Sequence, residues 1–327
     1  MLCMATSTTE LTYLTISQTY TMAGSTDSNT EAGIIPRSIT KLFQQLKQKS
    51  LHYDVAVKSY FVELYCNKLI DLFAPSSKHS AADDHLANEK KLDIKLDATR
   101  MVYVKNAVMK TAEDAADLIS FWAEGESTKR HSASTNMNDA SSRSHSVLSI
   151  IVEVKSKTTG TVSTGKLSLI DLAGSEKVNK SGVTGVGLQE AKNINTSLSC
   201  LSDVIAALSN GNKHIPYRNN KLTQLMQDSL GGNAKTLMFV NISPADSNSE
   251  ESVMSLHYGS RAKMIKNNAK KNEESSEVGR LKNLVEGLRS ELAASREDGA
   301  GEGKEVVVKN NVARPEEEVN VNAVVPG

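Results

Sequence analysis

The feature that most constrains the fold is a pair of β-prone runs, Val147 to Val154 and Lys166 to Leu172, separated by a Ser/Thr/Gly connection at 156–165. Two apolar strands joined by so short a link read as a hairpin. Around it the chain alternates helix-like and strand-like periods. A helix pattern starts at Gly33-Ile34-Ile35-Pro36-Arg37 and continues through Ile39, Leu42, Phe43 and Leu46, and the β-prone run Val55 to Tyr65 follows it. Ser76 to Lys91 reads as a surface loop, Leu92 to Leu96 as a half-buried strand and Glu113 to Trp122 as a helix. Ile194, Leu198, Leu201, Ile205 and Leu208 recur at steps of four and three, which makes Leu188 to Leu208 the clearest helix in the chain. Lys221 to Leu230, stopped by Gly231-Gly232, and Glu250 to Asn267 read as further helices; between them Thr236 to Ile242 reads as an apolar strand buried on both faces. The order is that of an α/β domain.

The 327 residues suit one large domain with an appendage. Lys and Arg number 38 and Asp and Glu 38, so the formal net charge is zero; this argues against a nucleic-acid binder and leaves a polyanionic partner to meet a local basic patch. Cys3, Cys66 and Cys200 are too few and too scattered for a disulfide framework or a zinc site. No apolar run reaches the roughly 18 residues that span a bilayer, and the first basic residue is Arg37, so neither a membrane span nor a basic targeting peptide is expected. By elimination these readings lead to the expectation of a soluble, intracellular protein. The first residues are rich in Ser and Thr, and Leu11 to Ile16 reads either as a strand or as a ragged terminus. Residues 271–327 carry twelve acidic side chains against eight basic ones. Within 271–297, Val278, Leu281, Val285, Leu288 and Leu292 mark a short coiled-coil-like helix weakened by Gly279 and Gly287, and 298–327 reads as a disordered acidic tail.

Chemistry concentrates in two clusters beside the hairpin. Asn138-Asp139-Ala140-Ser141-Ser142-Arg143-Ser144-His145 gathers hydroxyls, an amide and a guanidinium just before one strand, and Asp171-Leu172-Ala173-Gly174-Ser175-Glu176 ends the other. An acid at a strand's C-terminal end, followed by a glycine whose bare N–H can approach a phosphate, is what a γ-phosphate sensor requires. Gly160 to Lys166 is a near match to a phosphate-cradling loop, but Leu167 replaces the magnesium-binding hydroxyl and a strand, not a helix, follows, so it reads as a hairpin turn. Together with His214-Ile215-Pro216-Tyr217-Arg218-Asn219-Asn220-Lys221-Leu222-Thr223 and Ser229-Leu230-Gly231-Gly232-Asn233-Ala234-Lys235-Thr236, the two clusters resemble the kinesin motor domain from about Tyr20 to Asn268. Gly231 to Pro244 and the segment Val278 to Val285 are similar to the C-terminal-motor class, of the kinesin-like calmodulin-binding protein type.

The resemblance implies a P-loop NTPase-like α/β fold, with a central mixed sheet and flanking helices, that is incomplete at its N-terminus. It would occupy 20–270 after a ragged segment 1–19. ATP and Mg2+ are the implied cofactors. Ser141 and Ser142 would approach magnesium and its water ligands, Asn138 would help hold the nucleotide-sensing loop, Asp171 would bind a magnesium-bound water, and Gly174 would read the γ-phosphate. Arg143 would pair with Glu176 across the two switches and help position the attacking water. Lys177, Arg218 and Lys221 would meet acidic tubulin, with Lys155, Lys157 and Lys166 as a second contact, and the helix Leu188 to Leu208 would carry the nucleotide state to the filament face. The implied activity is ATP-driven movement along microtubules towards the minus end, and the implied location is the microtubule cytoskeleton. A non-hydrolysing microtubule-binding protein is the alternative. The stripe Val278 to Leu292, flanked by Arg280, Lys282 and Arg289, is shared by calmodulin targets and by a short coiled coil that would give a weak homodimer.

One stretch departs from the family. Kinesins carry G-Q-T-G-x-G-K-T-[YF]-T-M at the phosphate loop, whereas this chain reads Ile16-Ser17-Gln18-Thr19-Tyr20-Thr21-Met22. The Gln-Thr and the Tyr-Thr-Met survive; the glycines, the lysine and one threonine between them do not. Three lost charge-assisted hydrogen bonds would weaken nucleotide binding by about 5 kcal/mol, several thousandfold. ATP is therefore expected to bind poorly, and a sheet edge to stand uncovered. The abrupt junction reads as an incomplete copy of an active motor in preference to a protein that has dropped its ATPase.

Overall fold

The computed structural model describes residues 2–5, 18–24, 32–75, 91–129, 143–175, 186–232, 234–267 and 273–274, together with 281, 284, 285, 287 and 288. In chain order the elements are β1 (Leu2–Ala5), α1 (Gln18–Ala23), α2 (Ile34–Lys49), β2 (Tyr53–Tyr65), β3 (Lys68–Asp71), β4 (Asp93–Leu96), β5 (Val102–Lys105), β6 (Lys110–Ala112) and α3 (Ala115–Glu124). They continue with β7 (His145–Ser156), β8 (Val162–Asp171), α4 (Val186–Ser209), α5 (Lys221–Leu225), β9 (Met238–Asn241), α6 (Ser249–Lys263) and β10 (Glu273–Glu274). Residues 1–276 form one compact unit and 277–327 a second.

The main sheet runs β3-β2-β7-β8-β1-β9 and is mixed: β2, β7 and β8 are antiparallel neighbours, while β1 is parallel to both β8 and β9. The expected hairpin is β7 and β8, turning through residues 157–161 with Gly160 at φ +69°. Its register sets Ser146 opposite Asp171 and Leu148 opposite Leu169, which brings the start of β7 and the end of β8 to one end of the sheet.

Alternation along β2 divides the core in two, because successive strand side chains point to opposite faces. Tyr60, Val62 and Leu64 join Val147, Ile170 and the α4 stripe Leu198, Leu201, Val204 and Ile205 on one face. Phe61 joins Leu148, Ile150 and Leu169 on the other, against Ile35 and Ile39 of α2 and Leu118 and Trp122 of α3. Each fully buried Leu or Ile contributes about 1.5–3 kcal/mol by leaving water, so the α4 stripe alone is a major anchor. Gly33 shows how closely the helices meet: a Cβ there would lie 2.4 Å from the backbone of Ala23 and Gly24 at the end of α1.

Three expectations need correction. The helix beginning at Lys221 ends at Leu225 rather than Leu230, and residues 226–229 continue as turns; the carboxylate of Asp228 is drawn away to Lys166 and the Val102 N–H. The strand at Thr236 to Ile242 is only β9, half-buried at the sheet edge, with Leu237 and Ile242 exposed. Leu2–Ala5, inside the segment expected to be ragged, instead forms β1 between β8 and β9, where pairing to both neighbours satisfies its backbone. Leu11 to Ile16 and 298–327 lie outside the described residues. In the second unit Leu281, Leu284, Val285 and Leu288 are helical and exposed. No described helix is long and apolar enough to cross a membrane.

Candidate functional site

The site is built at the end of β8. Asp171, the last residue of that strand, is 3% exposed, and Leu172 and Ala173 are buried behind it. Gln18, the first residue of α1, donates from Nε2 to Asp171 Oδ1 at 2.8 Å and to the Leu172 carbonyl at 2.6 Å. Further along α1, Thr21 Oγ1 accepts from Asn241 Nδ2 at 2.8 Å, so the short helix is pinned to both β8 and β9. The Ala173 N–H donates to His145 Nδ1 at 2.9 Å, and His145 Nε2 lies 2.7 Å from Ser197 Oγ on α4.

Arg143 and His145 share a small recess with Asn193, Ser197 and Asn220, so the start of β7, the middle of α4 and the entry to α5 converge there. Of the residues singled out in the sequence, Arg143, Asp171 and Gly174 fall at this end of the hairpin. Asn138, Ser141, Ser142, Glu176 and Lys177 lie outside the described residues. Gln18, His145 and Ser197 were not assigned roles from the sequence. His145 was visible inside the first cluster and Gln18 inside the retained Gln-Thr, whereas nothing local distinguishes Ser197 from other helix serines.

The second part of the site is the segment from Lys213 to Lys221. Lys213, His214 and Arg218 are exposed, and Lys221 is half-buried at the start of α5. Asn220 caps α5 by accepting the Leu222 N–H at 2.9 Å. The Thr223 hydroxyl lies 2.6 Å from the Tyr217 carbonyl, and the Tyr217 hydroxyl donates to the Leu230 carbonyl at 2.5 Å. Burial pushes the Tyr217 phenol up to about 12. The loop is thus fastened from within while its guanidinium faces water. Lys166 does not join this surface: its Nζ is 2.8 Å from Asp228 Oδ2 and donates to the Val102 carbonyl at 2.8 Å, with the side chain only 7% exposed. Lys157 donates to the Ser50 carbonyl at 2.9 Å, and Lys155 is exposed.

A cleft of about 880 Å³ is lined by Arg100, Lys166, Tyr217, Asp228, Gly231 and Thr236, among others, and none of Arg143, Asp171 or Gly174 borders it. Its position gives it no part in the chemistry of the β8 end.

Residues 15–265 match the kinesin motor domain family. The chain belongs to the kinesins. It is 48% identical over 268 residues to Kinesin-like protein KIN-14E of Arabidopsis thaliana, an alignment covering 82% of this chain and 20% of that protein. It is 45% identical over 281 residues to Kinesin-like protein KIN-14I of Oryza sativa subsp. japonica, covering 86% and 22%. The chain therefore spans about a fifth of the length of these curated relatives. Among solved structures it is similar to a KIF14 dimer in the two-heads-bound state, with AMP-PNP in complex with a microtubule: TM-score 0.70, 34% identity, 83% of this chain and 73% of that one.

The kinesin nucleotide fits only half of what stands here. Asp171 ends β8 and Gly174 follows three residues on, where the family reading would put its sensing residues. At the head of α1 the retained Gln18-Thr19 and Tyr20-Thr21-Met22 run together in one helix. The lysine and glycines of the family loop are lacking between Thr19 and Tyr20, and the neutral carboxamide of Gln18 is already bonded to Asp171 and Leu172. Leu11 to Ser17 contain no glycine. These residues do not fit a triphosphate, and no catalytic step is assigned through one.

Proposed function

We propose that this kinesin chain acts as a microtubule-binding motor head of the minus-end-directed C-terminal-motor kind, with filament binding retained and ATP turnover impaired at the head of α1. The observation that carries the reading is the Arg218 loop, whose exposed cations are presented on a segment braced by Tyr217, Asn220 and Thr223. Local cations of this kind give a neutral chain salt-dependent affinity for an acidic filament. Mg2+ and ATP are the cofactors of the family reading, with Asp171 and Gly174 on the sensing side and Arg143, Ser142 and Glu176 as the switch residues. Lys177 and Lys221 would extend the tubulin contact beside Arg218. The cell location that follows is the microtubule cytoskeleton of the cytoplasm. Exposed Leu281, Leu284, Val285 and Leu288 support the stripe read as a weak dimer contact or a calmodulin target.

Co-sedimentation with microtubules tests the reading. Binding should fall steeply as salt rises, and Arg218→Ala should weaken it by up to about fivefold, the scale of one exposed ion pair. Binding indifferent to both changes would remove the assignment of this loop. The second reading, a filament binder without hydrolysis, is favoured by the Gln18 contacts with Asp171 and Leu172. Measured turnover separates the two.

A further inference from the structure

We propose that His145 is a positioning residue that ties the end of β8 to α4, so that the strand end and the filament-side helix move as one. The inference rests on the microtubule reading for its consequence and on geometry alone for its chemistry. Both ends of the hydrogen-bond run are backbone groups whose roles are fixed: the Ala173 N–H can only donate and the Ile194 carbonyl can only accept. Ala173 donates to His145 Nδ1 at 2.9 Å, so that nitrogen carries no proton. Ser197 Oγ donates its one proton to the Ile194 carbonyl at 2.7 Å, so it must accept from His145 Nε2, 2.7 Å away. The ring is therefore the neutral Nε2–H tautomer. A proton on Nδ1 would set donor against donor at Ala173.

His145 and Ser197 are 3% and 4% exposed, so water offers little substitute for a broken link. The run also extends backwards. Gln18 grips Asp171 and Leu172, the two residues before Ala173, which places α1, β8, β7 and α4 on one line of contacts. Forward, Ser197 shares its recess with Asn220, the cap of α5, one residue from Lys221 and two from Arg218. A shift of the Asp171–Ala173 backbone is thereby handed to α4 and the filament loop by a rigid ring, not by side-chain packing alone.

Variants of the full chain test this. His145→Asn keeps an acceptor for the Ala173 N–H but falls short of Ser197, and Ser197→Ala removes the same link from the other side. Each should weaken microtubule affinity about three- to tenfold, and the double variant should be no worse than the worse single, because all three break one connection. Ser197→Thr, which keeps the hydroxyl, should bind as the parent does. A purely structural role would lower the melting temperature and leave the affinity of the folded fraction unchanged; that result, or effects that multiply, would overturn the proposal. Two readouts need no filament. Nitrogen NMR of the labelled chain should place the imidazole proton on Nε2, and Ser197→Ala should speed hydrogen exchange at the Ala173 amide by about tenfold. A proton on Nδ1, or unchanged exchange, would refute the link even if the parent chain fails to bind microtubules, an outcome that would count against the function and not against the link.

Discussion

Replacing Lys166 by methionine separates a structural lysine from a filament contact. In the fold its Nζ bonds Asp228 Oδ2 and the Val102 carbonyl, both at 2.8 Å, and the same Asp228 oxygen accepts the Val102 N–H at 2.8 Å. This closed ring joins β8, β5 and the turn after α5. The two side chains are 7% and 15% exposed, so solvent screens the pair little. Methionine keeps the aliphatic stem and removes the charge, leaving Asp228 buried without its cation. Breaking one partner of a buried pair typically costs about 3–5 kcal/mol, and the low end applies because the Val102 N–H still serves the carboxylate. A loss of about 3 kcal/mol lowers the melting temperature of a domain this size by about 6–12 °C. Urea unfolding followed by circular dichroism measures it directly. The double variant Lys166→Met with Asp228→Leu should recover part of the loss but not all, since the Val102 N–H then lacks its acceptor, a cost of about 1–3 kcal/mol. Microtubule affinity of the folded Lys166→Met protein should equal the parent's. A destabilisation below about 1 kcal/mol, or a loss of filament affinity comparable to that of Arg218→Ala, would refute the placement of this lysine.

Gly231→Ala should destabilise by about 1–3 kcal/mol, because φ is +72° and the new Cβ would sit 2.3 Å from Leu208 Cδ2, a flexible end that can yield only in part; thermal melts check it. Tyr217, held up at about 12 by burial, against about 10 when unfolded, contributes stability that is intact below pH 10 and lost as pH rises towards 12. Urea midpoints at pH 9 and 11 should therefore diverge, and less so in Tyr217→Phe. Steady-state ATP hydrolysis by the purified chain should stay near background at millimolar ATP with microtubules present; robust turnover abolished by Glu176→Ala would show that another group replaces the lost cradle.

What the sequence made legible was whatever is periodic or local. The α4 stripe, the β7–β8 hairpin and the start of α2 follow from side-chain spacing, and each buries the residues that spacing selects. What it hid depends on partners far along the chain. Leu2–Ala5 is too short to carry a period, and its strand character comes from lying between Ile170-Asp171 on one side and Met238 to Asn241 on the other. Lys166 reads as a surface charge until Asp228 is brought beside it. The early end of α5 has the same cause, since the carboxylate that turns away lies three residues past Leu225. β9 looks like a buried strand by composition, but its position at the sheet edge leaves Leu237 and Ile242 in water. At the candidate site, the residue types of Arg143, Asp171 and Gly174 announced themselves. The partnership of His145 with Ser197, across 52 residues, had no sequence signal.

The two parts of the site are held by different bonds, and this is why the loss of one need not abolish the other. The Arg218 loop keeps its shape through Asn220 capping α5, Thr223 against the Tyr217 carbonyl and Tyr217 against Leu230, all within residues 217–230. The head of α1 keeps its place through Gln18 to Asp171 and Leu172 and through Thr21 to Asn241. The phosphate-loop residues lacking between Thr19 and Tyr20 belong to the head of α1 and touch none of the bonds that hold the Arg218 loop. On the proposed reading, filament affinity would rest on exposed cations of a self-braced loop and would persist where turnover does not. What then depends on the junction between the two sets is the response of one to the other, and the buried run from Ala173 through His145 to Ser197 lies at that junction.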